Sequence, residues 1–291
     1  MRIALYTEWP NIGGSTVALT DLANLIQQET VHRVKIFCPR LGEDSFIHSR
    51  YSEVEYLEHP LDVDKLKRFK PDFVIAHAWG LLTGIKQERL QEVKKILGNP
   101  LFIKTAHEAK FIDGGLYDEN PYSDKIYDKI HFVSEAQQLD YMGEKPSFVI
   151  PNYVPKIELQ NTKPIEGLVV GIIGSMDFNK RTHLSIAKAN SLGAKEIILF
   201  GPLRQDEYFY KKLVPAIQKS KAPVKGFGYA EREVIYSKVN CVVSESASET
   251  FNLVAAECEM LDIPYHGISN HTLLPKGKII ELWEKELNGL S

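Results

Sequence analysis

Short, near-continuous apolar runs recur along this chain, and most are followed by a segment with helical spacing. "RIALY" precedes a stretch from Thr16 to Gln28 in which Leu19, Leu22, Leu25 and Ile26 fall on one side. "VKIF", "VEYL", "DFVIAHA", "LFIKTA", "IHFVS" and "FVIP" follow, separated in several places by patterns such as "QERLQEVKKIL" and "SEAQQLDYM". Strands that are apolar on both faces belong to parallel sheets, because the crossover between parallel strands lays a helix on each face. The expected fold class is therefore α/β and doubly wound.

The pattern breaks once and restarts. Residues 151–167, "PNYVPKIELQNTKPIEG", carry three prolines, which fix φ and lack an N–H, so this stretch is expected to be an extended linker. Beyond it "GLVVGIIG", "EIILF", "APVKGF" and "NCVVS" read as the strands of a second domain. Three parts are expected: a Rossmann-like domain over residues 1–155, another over 156–275, and a C-terminal helix in 276–291 packing back across a domain. The tail "KIIELWEKEL" supplies that helix's amphipathic face. A chain of 291 residues is long enough for two cores. Two such domains facing each other leave a cleft at the carboxyl ends of their sheets, where open α/β sheets place ligands.

Charge excludes some partners. The net charge is −3; residues 1–155 hold 18 basic against 22 acidic residues, and the remainder 17 against 16. Neither part is a polycation that could hold a duplex or an anionic membrane by gross charge. "KLKRFK" reads as the solvated face of a short helix. No apolar run approaches the roughly 18 residues of a membrane span. Glu8 interrupts the N-terminal apolar stretch where a signal peptide would continue, so a cytoplasmic location is expected. Cys38, Cys241 and Cys258 form no Cys-x-x-Cys pair and are expected as buried thiols.

The loops that follow strands carry the chemistry. "NIGGST" puts Gly13 and Gly14 before a helix that Ser15 or Thr16 can cap; the pair serves either a tight turn or close approach to a phosphate. It lacks the spacing of a dinucleotide fingerprint. In "VGIIGSMDFNKRTH" a strand ends at Gly174 and a helix begins near Thr182, so Lys180 and Arg181 stand at a positive helix end. They are either solvated cations or the two sides of an anion site. In "SESASETFNLVAAECEM" a helix starts near Phe251 or Asn252. Glu249 precedes it, beside the amides of Phe251, Asn252 and Leu253, and Glu257 lies two turns on. Amides at a helix start suit phosphates, and a carboxylate suits a vicinal diol, since its two oxygens accept from both hydroxyls.

This assembly resembles the retaining glycosyltransferases of the GT-B fold, in the large family that includes sucrose- and glycogen-type synthases. The resemblance spans nearly the whole chain and is most specific in "SASETFNLVAAECEMLDIPY", with its two glutamates eight positions apart and a later proline. It implies two Rossmann-like domains facing across a cleft. It also implies Glu249 near a donor hexose, Glu257 on the nucleotide's ribose, Lys180 on the diphosphate, Gly13 and Gly14 near the phosphates, and His107 of "TAHE" on the acceptor side. The implied reaction moves a sugar from a nucleoside-diphosphate sugar, of UDP type, to an acceptor hydroxyl with retained configuration. It uses no cofactor and no metal. Ser175 stands where the family usually carries arginine, and Thr250, Asn252 and Asp262 stand where it usually carries glycine.

Asp62 and Asp64 form an Asp-x-Asp, read here as helix-capping acids and not as metal ligands. His77, Trp79, Phe111 and Tyr117 are further acceptor-side candidates, or packing residues. The acceptor is open among a glycan, a lipid-linked molecule and a nucleic acid. One alternative is a modified base in DNA, as in viral DNA-glucosylating enzymes. Another is a protein that binds nucleotide sugar without turning it over.

Overall fold

The computed structural model describes residues 1–7, 10, 12–39, 46–57, 63–77, 87–107, 111–112, 115–116, 127–141, 144–159, 164–203 and 206–289. The chain divides into two compact units. The first comprises Met1–Lys110, Leu116–Tyr153 and Thr272–Ser291; the second comprises Phe111–Gly115 and Val154–His271.

The first unit is built on β1 (Arg2–Thr7), β2 (Arg33–Pro39), β3 (Val54–Leu57), β4 (Phe73–His77) and β5 (Leu101–Ala106). A two-stranded ribbon, β6 (Phe111–Ile112) with β7 (Gly115–Leu116), intervenes before β8 (Lys129–Phe132) and β9 (Ser147–Val149). The seven-stranded sheet runs β3-β2-β1-β4-β5-β8-β9 with every pair parallel. Side chains alternate across it, as the two-residue period of a strand requires: Ile3 and Leu5 join one core and Ala4 and Tyr6 the other. Helix α1 (Gly14–Glu29) covers the first face through Leu19, Leu22, Leu25 and Ile26; α2 (Phe46–Arg50) adds Ile47. Leu66 and Phe69 of α3 (Val63–Phe69) and Val93 of α4 (Gln87–Ile96) cover the second. The short α5 (Glu135–Leu139) follows β8, capped by the Ser134 hydroxyl, which accepts from the Gln137 amide.

The second unit repeats the plan. Its strands are β10 (Val169–Ile173), β11 (Glu196–Phe200), β12 (Val224–Gly228), β13 (Cys241–Val243) and β14 (Tyr265–His266), in the order β12-β11-β10-β13-β14, all parallel. Helix α6 (Thr182–Ser191) packs Ile186 on one face. It is joined there by a helical segment that runs from Asp206–Tyr208 through the π-helical Phe209–Leu213 to Val214–Lys219. On the opposite face lie Tyr236 of α7 (Arg232–Tyr236) and Cys258 of α8 (Leu253–Met260). Ile157, Leu159 and Ile165 of the proline-bearing stretch pack on that same face.

Helix α8 ends in a Schellman motif. The amides of Asp262 and Ile263 donate back to the carbonyls of Glu259 and Cys258, and Asp262 holds φ 54°. Here an aspartate occupies a left-handed position that glycine adopts without steric cost. Asp262→Gly is therefore expected to raise stability by about 0.5–1 kcal/mol in a urea unfolding titration.

The last helix, α9 (Lys276–Asn288), belongs to the first unit. Its stripe Ile279, Trp283 and Leu287, spaced by four, is buried in the core that holds Leu5 and Ile75. Lys129 reaches Glu286 at 2.8 Å and Lys276 reaches Glu29 at 2.7 Å, fixing both ends of the helix.

Candidate functional site

In each sheet the chain starts in the middle, winds one way and then returns to the other side. The reversal falls between β1 and β4 in the first unit and between β10 and β13 in the second. Loops leaving the carboxyl ends of such a strand pair diverge, which opens a crevice for ligand.

In the second unit the crevice begins with two glycines. Gly174 has φ 134° and Gly201 φ 126°, and a Cβ on Gly201 would stand 2.1 Å from the carbonyl oxygen of Gly174. Only glycine lets these two strand ends approach so closely. Asp177 then folds the loop after β10: its carboxylate accepts from the Lys180 amide at 2.8 Å and from the Ser175 hydroxyl at 2.5 Å. That turn aims the Lys180 side chain back at the strand end, where it lines a small pocket with Gly174, Ser175, Thr182, Ser185 and Ser244. The loop after β13 is tied to the same place. Ala247 donates to the Asn179 carbonyl at 2.8 Å and the Glu245 amide to Ser185 Oγ at 3.0 Å. Lys180 Nζ donates to Glu249 Oε1 at 2.6 Å, so two residues 69 positions apart form one ion pair at the switch point.

Arg181 parts from its neighbour. It sits in the left-handed region (φ 47°) immediately before α6, is exposed, and does not line the pocket. Of the two cations flagged by sequence, the structure brings only Lys180 to the strand-end pocket.

Asn252 works for the fold. Its Oδ1 accepts from the Ala255 amide as the cap of α8, and its Nδ2 donates to the Tyr265 hydroxyl and the Ile268 carbonyl. Its own amide donates to Asn270, so the expectation that this amide meets a phosphate is corrected. Phe251 and Leu253, on either side, remain as the expected contacts; the Phe251 ring is buried, edge-on to His271.

Glu257 is not the open carboxylate its spacing suggests. It is 5% exposed, with Oε1 accepting from Arg232 Nε at 2.5 Å and Oε2 from the Tyr236 hydroxyl at 2.6 Å. Burial, and then the negative charge of Glu257, push the Tyr236 hydroxyl well above its usual range, so it stays a donor. Sequence reading missed both partners. The available signal was "REVIY", whose Arg and Tyr four apart share one face of α7.

In the first unit α1 begins at Gly14, with Gly13 in the cap position and its carbonyl accepting from Val17. Ser15 and Thr16, expected as caps, lie inside the first turn, and Gly13 at the N-cap has no side chain to cap with. Across the strand ends a polar row forms in register: Thr7 beside His77, His77 beside Thr105, and Thr105 beside His131, all buried. His107, one residue past β5, places Nε2 2.9 Å from His77 Nδ1. His131 Nε2 donates to the Ile150 carbonyl at 2.8 Å, so its Nδ1 accepts from the Thr105 hydroxyl at 3.0 Å.

Burial holds all three imidazoles neutral: His77 well below its ordinary range, His107 at about 3 and His131 at about 4. Because the unfolded chain takes up these protons first, the stability they carry is whole above about pH 6.5 and is lost as pH falls toward the folded values. Between pH 6.5 and 5 the unfolding free energy is expected to fall by at least about 2 kcal/mol, the share of His131 by itself, read from urea titrations at the two pH values.

Asp62, Trp79 and Tyr117 lie outside the described residues, as does the side chain of Phe111. Asp64 sits in the first turn of α3. Among the described residues no group of three or more His, Cys, Asp or Glu side chains gathers as a metal site, and no helix is long and apolar enough to cross a membrane. Cys38, Cys241 and Cys258 are buried and unpaired as disulfides.

No protein-family model matches the chain, and no curated protein matches it. Solved structures do. An alpha-glucosyltransferase in complex with UDP superposes with a TM-score of 0.65 at 12% identity, covering 100% of this chain and 90% of that one. The alpha-glucosyltransferase in complex with UDP and a 13-mer DNA containing a central A:G mismatch gives 0.61 at 13%, over 100% and 89%. AviGT4, a glycosyltransferase involved in avilamycin A biosynthesis, gives 0.60 at 15%, over 93% and 80%. A mutant of S. aureus TarM in complex with Fondaparinux, alpha-GlcNAc-glycerol and UDP gives 0.52 at 18%; the chain spans 50% of that protein's length. At these identities the likeness establishes the fold, that of the GT-B glycosyltransferases.

Proposed function

We propose that the chain is a retaining glycosyltransferase that moves a sugar from a UDP-sugar to an acceptor hydroxyl without a metal. The observation that carries this reading is the Lys180–Glu249 pair at the β10/β13 switch point, at a pocket that Lys180 lines with Gly174, Ser175 and Ser244. Breaking a glycosyl–phosphate bond leaves negative charge on the departing diphosphate. Lys180 and the helix-start amides of Phe251 and Leu253 stabilise that charge where it develops. Glu249 holds Lys180 at the strand end until the diphosphate takes its place, and then faces the hexose. Ser175, hydrogen-bonded to Asp177, lends no charge where relatives by resemblance carry arginine, so Lys180 bears more of the burden. Glu257 takes ribose hydroxyls by sharing its oxygens with Arg232 and Tyr236, since each carboxylate oxygen accepts more than one hydrogen bond. In the first unit Gly13 and Gly14 leave room for phosphate beside α1, and His107 hydrogen-bonds ligand hydroxyls.

The test is a thermal-shift panel of UDP, GDP and ADP and their hexose conjugates, without added metal. A ligand present at 100 times its Kd adds about 2.7 kcal/mol of stability. One diphosphate should shift the melting point clearly; a flat panel overturns the donor assignment. Turnover of the sugar conjugate then separates a transferase from a protein that only binds.

One specific observation favours DNA as the acceptor: the chain aligns over its whole length with a glucosyltransferase solved with DNA. The acidic first part speaks against it. Duplex binding that weakens steeply with salt favours a DNA acceptor; binding absent even at low salt favours a glycan or lipid-linked one.

A further inference from the structure

We infer that His77 is a positioning residue that fixes the tautomer of His107: it donates from Nδ1 to His107 Nε2, so His107 carries its proton on Nδ1 and acts as a hydrogen-bond donor instead of a base. Two neutral imidazoles 2.9 Å apart share a single hydrogen, which leaves two arrangements. In one, His77 accepts at Nδ1 and must carry its proton on Nε2. Among the described residues that Nε2, inaccessible to solvent, meets no hydrogen-bond partner, on a residue only 3% exposed. A buried N–H without an acceptor is a rarer and costlier state than a buried lone pair without a donor. The other arrangement puts the His77 proton on Nδ1, where it is used, and leaves only a lone pair unmet.

The surroundings hold this choice in place. His77 ends β4 between Thr7 and Thr105, so its backbone is fixed on both sides by the sheet. Three strands away from β1, His131 has the opposite tautomer, set by the Ile150 carbonyl and the Thr105 hydroxyl. Burial keeps both members of the His77–His107 pair neutral, which a single shared hydrogen requires. The consequence for chemistry is specific. While the bond stands, His107 Nε2 cannot take a proton from an acceptor hydroxyl, so in the proposed reaction the departing phosphate takes it, and His107 orients.

The tautomer part stands on geometry; the catalytic part rests on the transferase reading. The experiment separates them. Long-range proton–nitrogen spectra of the uniformly labelled full chain at pH 7.5 should show His77 and His107 protonated on Nδ1 and His131 on Nε2. His77→Phe should move His107 toward its Nε2–H form, and His77→Asn, whose amide can donate from nearly the same place, should restore it. With UDP-glucose hydrolysis as the activity probe, His77→Phe should lower kcat by about 10–100-fold with KM little changed, and His77→Asn should recover part of the loss. A proton on His107 Nε2 in the wild type, or a His107 signal indifferent to His77→Phe, overturns the inference. The stated tautomers in a protein that turns over no UDP-sugar leave the inference standing and overturn the transferase reading.

Discussion

Replacing Lys180 with alanine is expected to lower kcat/KM for a UDP-sugar by about 10²–10³-fold, the usual cost of removing one preorganised group from developing negative charge. Two features of the site make the effect large. Arg181 is exposed in its left-handed position and does not line the pocket, so no second cation of the loop stands there to take over. Ser175 is neutral and already committed to Asp177. The substitution also leaves Glu249, with 11% of its side chain exposed, without its cation, which costs stability by about 1–3 kcal/mol. The two effects separate in a double-mutant cycle. Adding Glu249→Gln to Lys180→Ala should restore stability but not turnover. An unchanged kcat/KM in the single variant would show that the lysine serves only the ion pair.

Replacing Arg232 with leucine is expected to destabilise the second unit by about 3–5 kcal/mol, because it strands a buried carboxylate. Arg232 and Glu257 retain 12% and 7% side-chain exposure, so water can do little to solvate the charge that remains. The Tyr236 hydroxyl supplies a hydrogen bond to a group that needs its charge offset as well. Urea titration of Arg232→Leu gives the number, and the pair Arg232→Leu/Glu257→Gln should recover most of it. A loss below about 1 kcal/mol would match a solvent-screened surface pair and place Glu257 in contact with water. The same titration with UDP present bears on ribose binding: a carboxylate relieved of Arg232 is more available to a diol, so UDP should stabilise the single variant by more than it stabilises the wild type.

Most of the architecture was readable because a strand buried on both faces leaves an unbroken apolar run, and β1, β4, β10 and β11 are such runs. Glycine and proline marked where the runs stop. β14 was not readable, since two residues, Tyr265 and His266, carry no period, and their strand exists only because β13 offers an edge. The π-helical Phe209–Leu213 was equally silent. At the site, the spacing of Glu249 and Glu257 was plain, whereas their partners were not: Lys180 and Arg232 lie 69 and 25 positions away and meet them only after the sheet is assembled. The histidine row belongs to the same class. No local pattern announces that Thr7, His77, Thr105 and His131 fall on one rung, because register is a property of four strands together.

The placement of α9 has a consequence for biosynthesis. The first unit's sheet is translated early, yet the face that buries Leu5 and Ile75 is closed by Ile279, Trp283 and Leu287, which leave the ribosome only after the whole second unit. Until then that oily surface stands open in the nascent chain, a natural station for a chaperone. Clipping the tail from the finished molecule should therefore loosen the opening half of the polypeptide and spare the later one.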